Sequence, residues 1–249
     1  MQTALYDDLV PWYLLLDPRE DHADEAAEFA AHFARALGSE GGDLLELGAG
    51  AGNNASYLQP AWRCTLVDLS PRMSELSRAQ NPAAEHVLGD MRTVRLGRTF
   101  DAVLVHDAVV YMTTEADLRA AAETAFVHTR PGGAALFVPD CLRDGFCEYT
   151  DLHEGDDGRR SLRCLEWSWD PDPGDSTYTV EYALLLRDGD RVTAVHDRHV
   201  EGLFTEATWV RLLEQVGYRV EIVVRALDEG PGCYTDRMFL CRRPAPGSP

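Results

Sequence analysis

Three glycines at alternate positions follow a short apolar segment, and they are the strongest chemical signal in the sequence. The segment spans residues 43–47 and contains Glu46, and the glycines are Gly48, Gly50 and Gly52. Glycine adopts positive φ without strain and lets a ligand approach bare peptide groups. The dinucleotide fingerprint places its third glycine one residue later. The spacing, together with Glu46, therefore favours an adenosyl ligand other than NAD.

Polar residues end three later apolar segments. They are Asp68, Asp90 and the adjacent pair His106 and Asp107. In open α/β sheets, ligands bind beyond the carboxyl ends of the parallel strands, so these side chains are expected at one edge of a sheet. Asp68 lies roughly 20 positions beyond the glycines, which is the spacing of a carboxylate that accepts both hydroxyls of a ribose. The alternative for Asp68 is an ordinary turn or helix-cap residue.

Apolar segments alternate with helical patterns between residues 21 and 139. Helices are predicted from residue 21 or 22 to Leu37, after Gly52, from Pro71 and after Thr114. Five strands are predicted at residues 43–47, 63–68, 85–88, 101–106 and 134–138, with a turn at residues 131–133. Such alternation predicts parallel β-α-β units with right-handed crossovers. The predicted fold class is α/β, a Rossmann-like, doubly wound, mostly parallel sheet with an antiparallel last strand.

The alternation breaks after Pro139. Residues 140–175 are rich in Asp, Gly, Arg and Pro, and two long strands at 177–187 and 191–203 are joined by an Asp-Gly-Asp turn, which predicts an inserted antiparallel β-hairpin layer. A helix capped by Thr205 and two strands at 220–224 and 238–241 complete the pattern. Three regions follow from this reading: an N-terminal aromatic segment (1–20), a ligand-binding α/β domain (21–139 and 204–243) and an inserted β region (140–203).

The overall charge excludes several classes of partner. The 249 residues carry a formal net charge of −19, which disfavours nucleic acid and anionic membrane surfaces. The chain contains no lysine, so Schiff-base chemistry and a Walker-type phosphate site are excluded.

The cysteines and histidines predict neither a disulfide framework nor a metal site. The six cysteines have no C-x-x-C spacing. His196 and His199 lie an odd number of positions apart on a predicted strand and so face opposite sides. With no signal peptide and no membrane-spanning apolar run, the sequence predicts a cytoplasmic protein that is a monomer or homodimer.

Together these motifs resemble those of the class I S-adenosylmethionine-dependent methyltransferases. The motifs that match are residues 46–52, Asp68, the Gly-Asp-Met at 89–91, His106–Asp107 and the Pro-Gly-Gly at 131–133. The resemblance covers nearly the whole chain, and the inserted hairpin is similar to that of amino-sugar N-methyltransferases from natural-product pathways. It implies direct in-line transfer of a methyl group from S-adenosyl-L-methionine to an N or O atom of a small-molecule metabolite, with S-adenosyl-L-homocysteine as product.

The resemblance also implies a set of cofactor-binding residues. The glycine turn leads into a helix N-terminus that receives the carboxylate of the methionine moiety. Asp90 is placed to accept from the adenine amino group, and Met91 offers a backbone N–H; Met73 packs either on the adenine or in the core. The full predicted set is Tyr6, Tyr13, Glu46, Gly48, Ala49, Gly50, Gly52, Asn53, Asp68, Leu69, Met73, Gly89, Asp90, Met91 and His106.

Three residues are predicted to take part in catalysis: His106, Asp107 and Tyr13. His106 at the end of the fourth strand is a candidate base for an amine or hydroxyl, or it only lines the cofactor. Asp107 and Tyr111 are the second candidates for the base. Tyr13, and after it Tyr6, belong to the N-terminal segment, which in similar enzymes covers the cofactor and places an aromatic hydroxyl near the methyl group; alternatively, these side chains pack on the core.

The acceptor pocket is assigned to the inserted region. Its predicted residues are Asp140, His153, Glu166, Trp167, Trp169, His196 and His199, with Tyr234 and Arg237 closing it. Trp167 and Trp169 alternate as in a strand and share a face, either in the core or as an aromatic wall.

Three other functions use similar motifs. An NAD-dependent oxidoreductase is disfavoured by the glycine spacing and by the absence of lysine. A catalytically silent S-adenosylmethionine-binding protein and a cyclase-like use of the same pocket remain open alternatives.

Overall fold

Strands and helices alternate along the first half of the chain, as the sequence predicts. The structure is a computed structural model that describes residues 3–225 and 237–247. Its strands are β1 (Gly42–Leu47), β2 (Trp62–Asp68), β3 (Glu85–Leu88), β4 (Phe100–His106), β5 (Thr129–Val138), β6 (Tyr149–Asp156), β7 (Arg160–Trp169), β8 (Thr177–Asp188), β9 (Arg191–Gly202), β10 (Arg219–Val224) and β11 (Arg237–Arg242). Its α-helices are α1 (Val10–Leu16), α2 (Ala23–Leu37), α3 (Asn53–Leu58), α4 (Pro71–Gln80), α5 (Glu115–His128) and α6 (Glu206–Val216).

Seven strands form the larger sheet, in the order β10-β11-β5-β4-β1-β2-β3. β1 pairs in parallel with β2 and β4, and β11 is antiparallel to β5 and β10. Apolar clusters cover both faces of this sheet, as expected of a doubly wound fold. The order reverses at β1 and β4, so the crevice beyond their carboxyl ends is the expected ligand site. The predicted fold class, with its antiparallel last strand, is confirmed.

The helix ends follow from local chemistry. Ser70 accepts a hydrogen bond from the Met73 N–H at the start of α4, and Thr114 and Thr205 cap α5 and α6 in the same way. Gly38 ends α2 in the left-handed conformation. The turn predicted at residues 131–133 is wrong, because these residues lie inside β5, where the pairing register with β4 shifts.

The inserted region is a complete four-stranded antiparallel sheet, in the order β6-β7-β8-β9. The predicted hairpin is its β8–β9 half, and the β6–β7 half was not predicted. One face of this sheet packs on α1; a side chain at Gly155 of β6 would meet the carbonyl oxygen of Leu15. The N-terminal segment therefore lies between the two sheets.

Cysteine chemistry differs from the prediction at one position. Cys64, Cys141, Cys164 and Cys241 are free and buried, whereas Cys147 is disulfide-bonded. Among residues 3–225 and 237–247, no cluster of His, Cys, Asp and Glu could hold a metal ion, and no helix is long and apolar enough to cross a membrane.

Candidate functional site

The glycine turn and Asp68 form one hydrogen-bonded unit. Gly48, Gly50 and Gly52 have φ of 79°, 53° and 72°. One carboxylate oxygen of Asp68 accepts from the Gly50 N–H at 2.8 Å, and the other accepts from the Ser70 N–H at 2.7 Å. Burial raises the pKa of Asp68, although these N–H donors oppose the shift. The parallel pairing of β1 and β2 thus brings Asp68 against the turn, as the sequence predicts.

Gly48 cannot be replaced without displacing neighbours. A Cβ there would lie 2.4 Å from the Cβ of Ala108 and 2.7 Å from the Cε of Met91. We expect Gly48→Ala to lower the free energy of unfolding by roughly 2–4 kcal/mol, through overpacking and left-handed strain together. Gly97→Ala is the matched control: its φ is +69° but its Cβ would meet nothing within 4 Å, so it carries the strain alone. Equal losses for the two variants in urea denaturation would contradict the steric argument.

The predicted adenine residues are only partly free to bind. Both carboxylate oxygens of Asp90 contact Arg92, with one contact at 2.6 Å, and Arg92 also pairs with Asp117. The hydrogen bonds from Arg92 lower the pKa of Asp90. To bind an adenine amino group, Asp90 would have to give up a contact with Arg92. Its role in adenine binding therefore stays a prediction.

The remaining predicted cofactor residues lie around the same turn. Met73 is buried on α4, with its Cε 3.6 Å from the position of a Cβ on Gly50, while Leu69 is exposed. Gly89 donates its N–H to the carbonyl of Asp68 at 2.9 Å. The side chain of Asn53 links Asp17 in the N-terminal segment to Gln80 on α4.

Beneath the turn, Glu46 is a buried carboxyl group with spare acceptor capacity. Its side chain is 4% exposed, and its Oε2 has no hydrogen-bond partner among the described residues; the same holds for Oδ1 of Asn54. Burial raises the pKa of Glu46 to about 8. Unpartnered acceptors are costly unless a ligand donor satisfies them. The ammonium group of a methionine moiety is such a donor, so these residues fit S-adenosylmethionine.

The raised pKa of Glu46 predicts how stability without ligand depends on pH. The native state keeps a proton that the unfolded state releases near its ordinary pKa of 4.5, so stability from this group is lost between about pH 4.5 and 8. We expect Glu46→Gln to remove this loss and to be more stable than the parent by roughly 3–5 kcal/mol at pH 8. Urea denaturation at pH 5 and pH 8 measures the difference. A gap that does not widen with pH would contradict the assignment.

His106 lies between two carboxylates at the carboxyl end of β4. Its Nε2 is 2.8 Å from Oδ1 of Asp107 and 3.3 Å from Oε2 of Glu25, and its Nδ1 is 3.2 Å from the Asn54 amide. Burial alone would lower the pKa of His106, but Asp107 and Glu25 outweigh it and raise the pKa well above its ordinary value. At neutral pH His106 is therefore an imidazolium. This protonated state counts against the prediction that His106 removes a proton.

Asp107 has the strained backbone expected of a functional residue. Its φ of 44° makes it the one non-glycine residue with positive φ in the described part of the chain. The side chain is 55% exposed, and the adjacent charge of His106 lowers its pKa. Asp140 hydrogen-bonds to Asp107, and burial together with the charge of Asp107 raises the pKa of Asp140 well above its usual range. The opposite directions of the two shifts favour an ionised Asp107 beside a protonated Asp140.

A cavity of about 230 Å³ opens beside this pair. Acidic and basic side chains line most of it. Its lining residues are Asp17, Asp21, His22, Glu25, His106, Asp107, Val138, Pro139, Asp140 and Arg225.

Seven of the ten lining residues were not predicted as site residues, among them the charged or ionisable Asp17, His22, Glu25 and Arg225. His22 contacts Asp17 at 2.7 Å and Glu25 at 2.8 Å, and these carboxylates raise its pKa to about 10 although burial opposes them. Arg225 contacts Glu25 at 3.8 Å and stacks over Phe29. The one local signal was the His-x-x-Glu spacing at the start of α2, which puts both side chains on one face.

Tyrosine side chains of the N-terminal segment reach the same region. Tyr13 hydrogen-bonds to Asp17, and its ring centroid is 6.1 Å from that of Tyr6. The Tyr6 hydroxyl is 3.0 Å from the Tyr111 hydroxyl, which follows Asp107 in a 3₁₀ turn (Ala108–Tyr111). The segment therefore places aromatic hydroxyls near the end of β4, as predicted for a lid.

The predicted acceptor residues of the inserted sheet divide between its two faces. His199 is buried and faces the N-terminal segment, while His196 is exposed and pairs with Glu181, which agrees with the predicted opposite orientations. His153 contacts Glu166 at 3.0 Å on the inner face.

Other predicted acceptor residues lie away from the cavity. Trp167 and Trp169 stack at 5.7 Å on the outer face, so they form neither core nor a wall of the cavity. Arg237 pairs with Glu206, and Tyr234 lies outside the described residues.

Comparison with known proteins gives one family match. A methyltransferase domain family matches residues 44–133, which include the glycine turn, Asp68, Asp90 and His106.

Among curated proteins, the chain is similar to two sugar-modifying enzymes. The dTDP-3-amino-3,4,6-trideoxy-alpha-D-glucopyranose N,N-dimethyltransferase of Streptomyces venezuelae is 29% identical over 218 residues, covering 85% of this chain and 88% of that protein. The dTDP-4-amino-2,3,4,6-tetradeoxy-D-glucose N,N-dimethyltransferase of Saccharopolyspora spinosa is 29% identical over 209 residues, covering 81% and 80%.

Two solved structures share the fold over most of their length. Streptomyces venezuelae DesVI superposes with a TM-score of 0.82 and 25% identity, covering 96% of this chain and 98% of that one. S-adenosylmethionine-bound CalS10, an amino pentose methyltransferase from Micromonospora echinaspora, superposes with a TM-score of 0.77 and 24% identity, covering 89% and 91%.

Proposed function

We propose that this chain, which is a class I S-adenosylmethionine-dependent methyltransferase, methylates the amino group of a nucleotide-linked amino sugar. The observation that carries the acceptor assignment is the cavity at the end of β4, whose lining includes the Asp107 carboxylate, a group suited to accept from an ammonium group. Arg225 in the same lining, which also pairs with Glu25 and Glu28, supplies a cation for an anionic part of the same substrate. The two similar sugar N,N-dimethyltransferases support the same acceptor class.

The cofactor is S-adenosyl-L-methionine and the product is S-adenosyl-L-homocysteine. When bound, S-adenosylmethionine supplies an activated methyl group on sulfur. We assign its binding to the glycine turn, Asp68, Glu46 and the predicted residues around them. The N-terminal segment covers this region and excludes water from it.

We assign proton removal to Asp107. An amino group enters the cavity as an ammonium ion and must lose a proton before its lone pair can form the N–C bond while the C–S bond breaks. The Asp107 carboxylate is the ionised acceptor at the mouth of the cavity, and His106, already protonated, holds that charge in place. Tyr13 and Tyr6 stay candidates for contact with the transferring methyl group.

The test is direct turnover. The purified protein is incubated with S-adenosylmethionine and dTDP-linked 3-amino or 4-amino deoxysugars, and the products are identified by mass spectrometry and by the position of the new methyl groups. N-methylated sugar supports the proposal. Methyl transfer only to hydroxyl or carboxylate acceptors would overturn it. No observation favours a silent binding protein or a cyclase-like activity.

We also propose that the protein is a homodimer, the second of the two predicted states. Exposed Leu152, Leu165 and Leu185 lie on one outer face of the inserted sheet, with Leu152 paired directly to Leu165. A contiguous exposed apolar face marks an interaction surface, and a two-fold axis would bury it against itself. Leu165→Glu is expected to halve the mass seen by light scattering, whereas Val127→Glu on α5 leaves it unchanged. A monomeric parent protein would refute this proposal.

A further inference from the structure

We propose that Asp197 and His199 on β9 are positioning residues that hold the Tyr111 and Tyr6 hydroxyls at the end of β4. The proposal deepens the methyl-transfer function and rests on it. Neither residue touches the cavity lining described above, so both would act through the tyrosines. The inserted sheet would thereby contribute to catalysis as well as to acceptor binding.

A continuous series of polar contacts carries this inference. His199 is fully buried, with its Nδ1 2.7 Å from the Tyr111 hydroxyl and its Nε2 3.2 Å from Oδ2 of Asp197. The Tyr111 hydroxyl in turn lies 3.0 Å from the Tyr6 hydroxyl. The series therefore runs from β9, through the 3₁₀ turn after β4, to the N-terminal segment.

The protonation state of His199 determines which of its ring nitrogens donates a hydrogen bond and which one accepts. Burial lowers its pKa, although Asp197 opposes the shift, so the ring is neutral and carries one N–H. The Asp197 carboxylate can only accept, which places that proton on Nε2. Nδ1 is then left as an acceptor, so the single Tyr111 O–H is shared between Nδ1 and the Tyr6 hydroxyl oxygen. Asp197 thus fixes the tautomer of the His199 ring, and that tautomer orients the Tyr111 hydroxyl.

Asp197 also fixes the segment that carries Tyr6. Its Oδ2 accepts from the Leu5 N–H at 2.8 Å, the same oxygen that faces His199. On the other side, the Tyr6 carbonyl accepts from the Ser70 hydroxyl at 2.6 Å, two residues beyond Asp68. Tyr6 is consequently held from the cofactor side and from the inserted sheet at once.

The contrast with the outer face of β9 argues against a purely structural role. His196 and Arg198 point outward and pair only with Glu181 at the surface. Asp197 and His199 point inward and are shielded from water, which costs stability. Their contacts lead through Tyr111 to Tyr6. Tyr6 meets Tyr111 in the 3₁₀ turn directly after Asp107, and burial raises the pKa of Tyr6 although the hydrogen bond with Tyr111 opposes the shift.

The first test measures turnover. His199→Gln keeps an amide that reaches Asp197 but removes the acceptor opposite Tyr111, and Tyr111→Phe removes the hydroxyl itself. Each is expected to lower kcat about 10–100-fold with little change in the acceptor KM, because displaced reacting groups lose that order of rate. The double variant should be no slower than either single one, since both break the same link. His196→Gln is the matched control and should keep parental kcat.

The second test measures release of S-adenosylhomocysteine by stopped-flow displacement, which needs no acceptor. Asp197→Ala loses the Leu5 contact and should release the product about 10-fold faster, whereas Asp197→Asn keeps an acceptor oxygen and should restore the parental rate. Thermal melting checks that each variant is folded. If His199→Gln does not fold, Tyr111→Phe alone carries the turnover test.

Two results would overturn the proposal: parental kcat in both His199→Gln and Tyr111→Phe, or multiplied losses in the double variant combined with an unchanged release rate in Asp197→Ala. If the parent methylates no amino sugar, the proposed function fails. The release rates then still decide the role of Asp197.

Discussion

Replacing Asp68 by alanine is expected to abolish detectable binding of S-adenosylmethionine. The carboxylate connects the glycine turn to the start of α4, because its two oxygens accept from the Gly50 and Ser70 N–H groups. Its removal takes away the proposed ribose acceptor and leaves two buried donors without their partner, which costs about 1–3 kcal/mol each. The loss therefore combines a missing ligand contact with a relaxed turn.

Thermal unfolding with and without ligand measures this effect. At a ligand concentration about 100 times Kd, binding to the native state alone adds about 2.7 kcal/mol to the stability of the parent protein. Asp68→Ala should show no ligand-dependent shift, while Asp188→Asn, an exposed turn carboxylate paired only with Arg159 in the described structure, should show the full shift. A parental shift in Asp68→Ala would remove Asp68 from the site.

The larger sheet could be predicted because its signals are local. Alternating apolar segments fix the strands, and single residues such as Ser70 and Gly38 fix helix ends. β6 and β7 were missed because only one of their faces is buried, and their outward positions mix charged side chains with apolar ones such as Leu152 and Leu165. The turn predicted at residues 131–133 failed because a register shift accommodates glycine within a paired strand.

Among the site residues, those brought together by the pairing of neighbouring strands could be predicted, and those brought together by the docking of distant elements could not. Gly50 and Asp68 were predictable as partners because parallel pairing of successive strands brings their ends together. Glu25 was not, since it meets His106 only through the docking of α2, and neither was Arg225, which contacts Glu25 from the residue after β10. The charge state of His106 depends on those contacts. Sequence alone could place this histidine at the end of β4 but could not show that it is already protonated.

Replacing Asp107 by asparagine is expected to lower kcat about 100–1,000-fold while leaving S-adenosylmethionine affinity within a few-fold of the parent. Asparagine has nearly the same shape as aspartate, so the strained backbone at φ 44° and ψ −69° is preserved and only the charge is lost. Loss of a positioned base costs this order of rate. Glu123→Gln, an exposed carboxylate on α5, is the control for unspecific charge effects.

The pH dependence separates a base from a structural role. His106 lowers the pKa of Asp107, so the parent enzyme keeps an ionised carboxylate throughout the neutral range, and its turnover changes little as pH rises above neutrality. In Asp107→Asn, the ammonium substrate must lose its proton to solvent, so turnover should rise about 10-fold per pH unit until the amine itself is deprotonated. Recovery at high pH would identify the missing function as proton removal. A deficit that persists at high pH with intact cofactor binding would show that Asp107 orients the acceptor, and the base would then have to be sought elsewhere in the cavity.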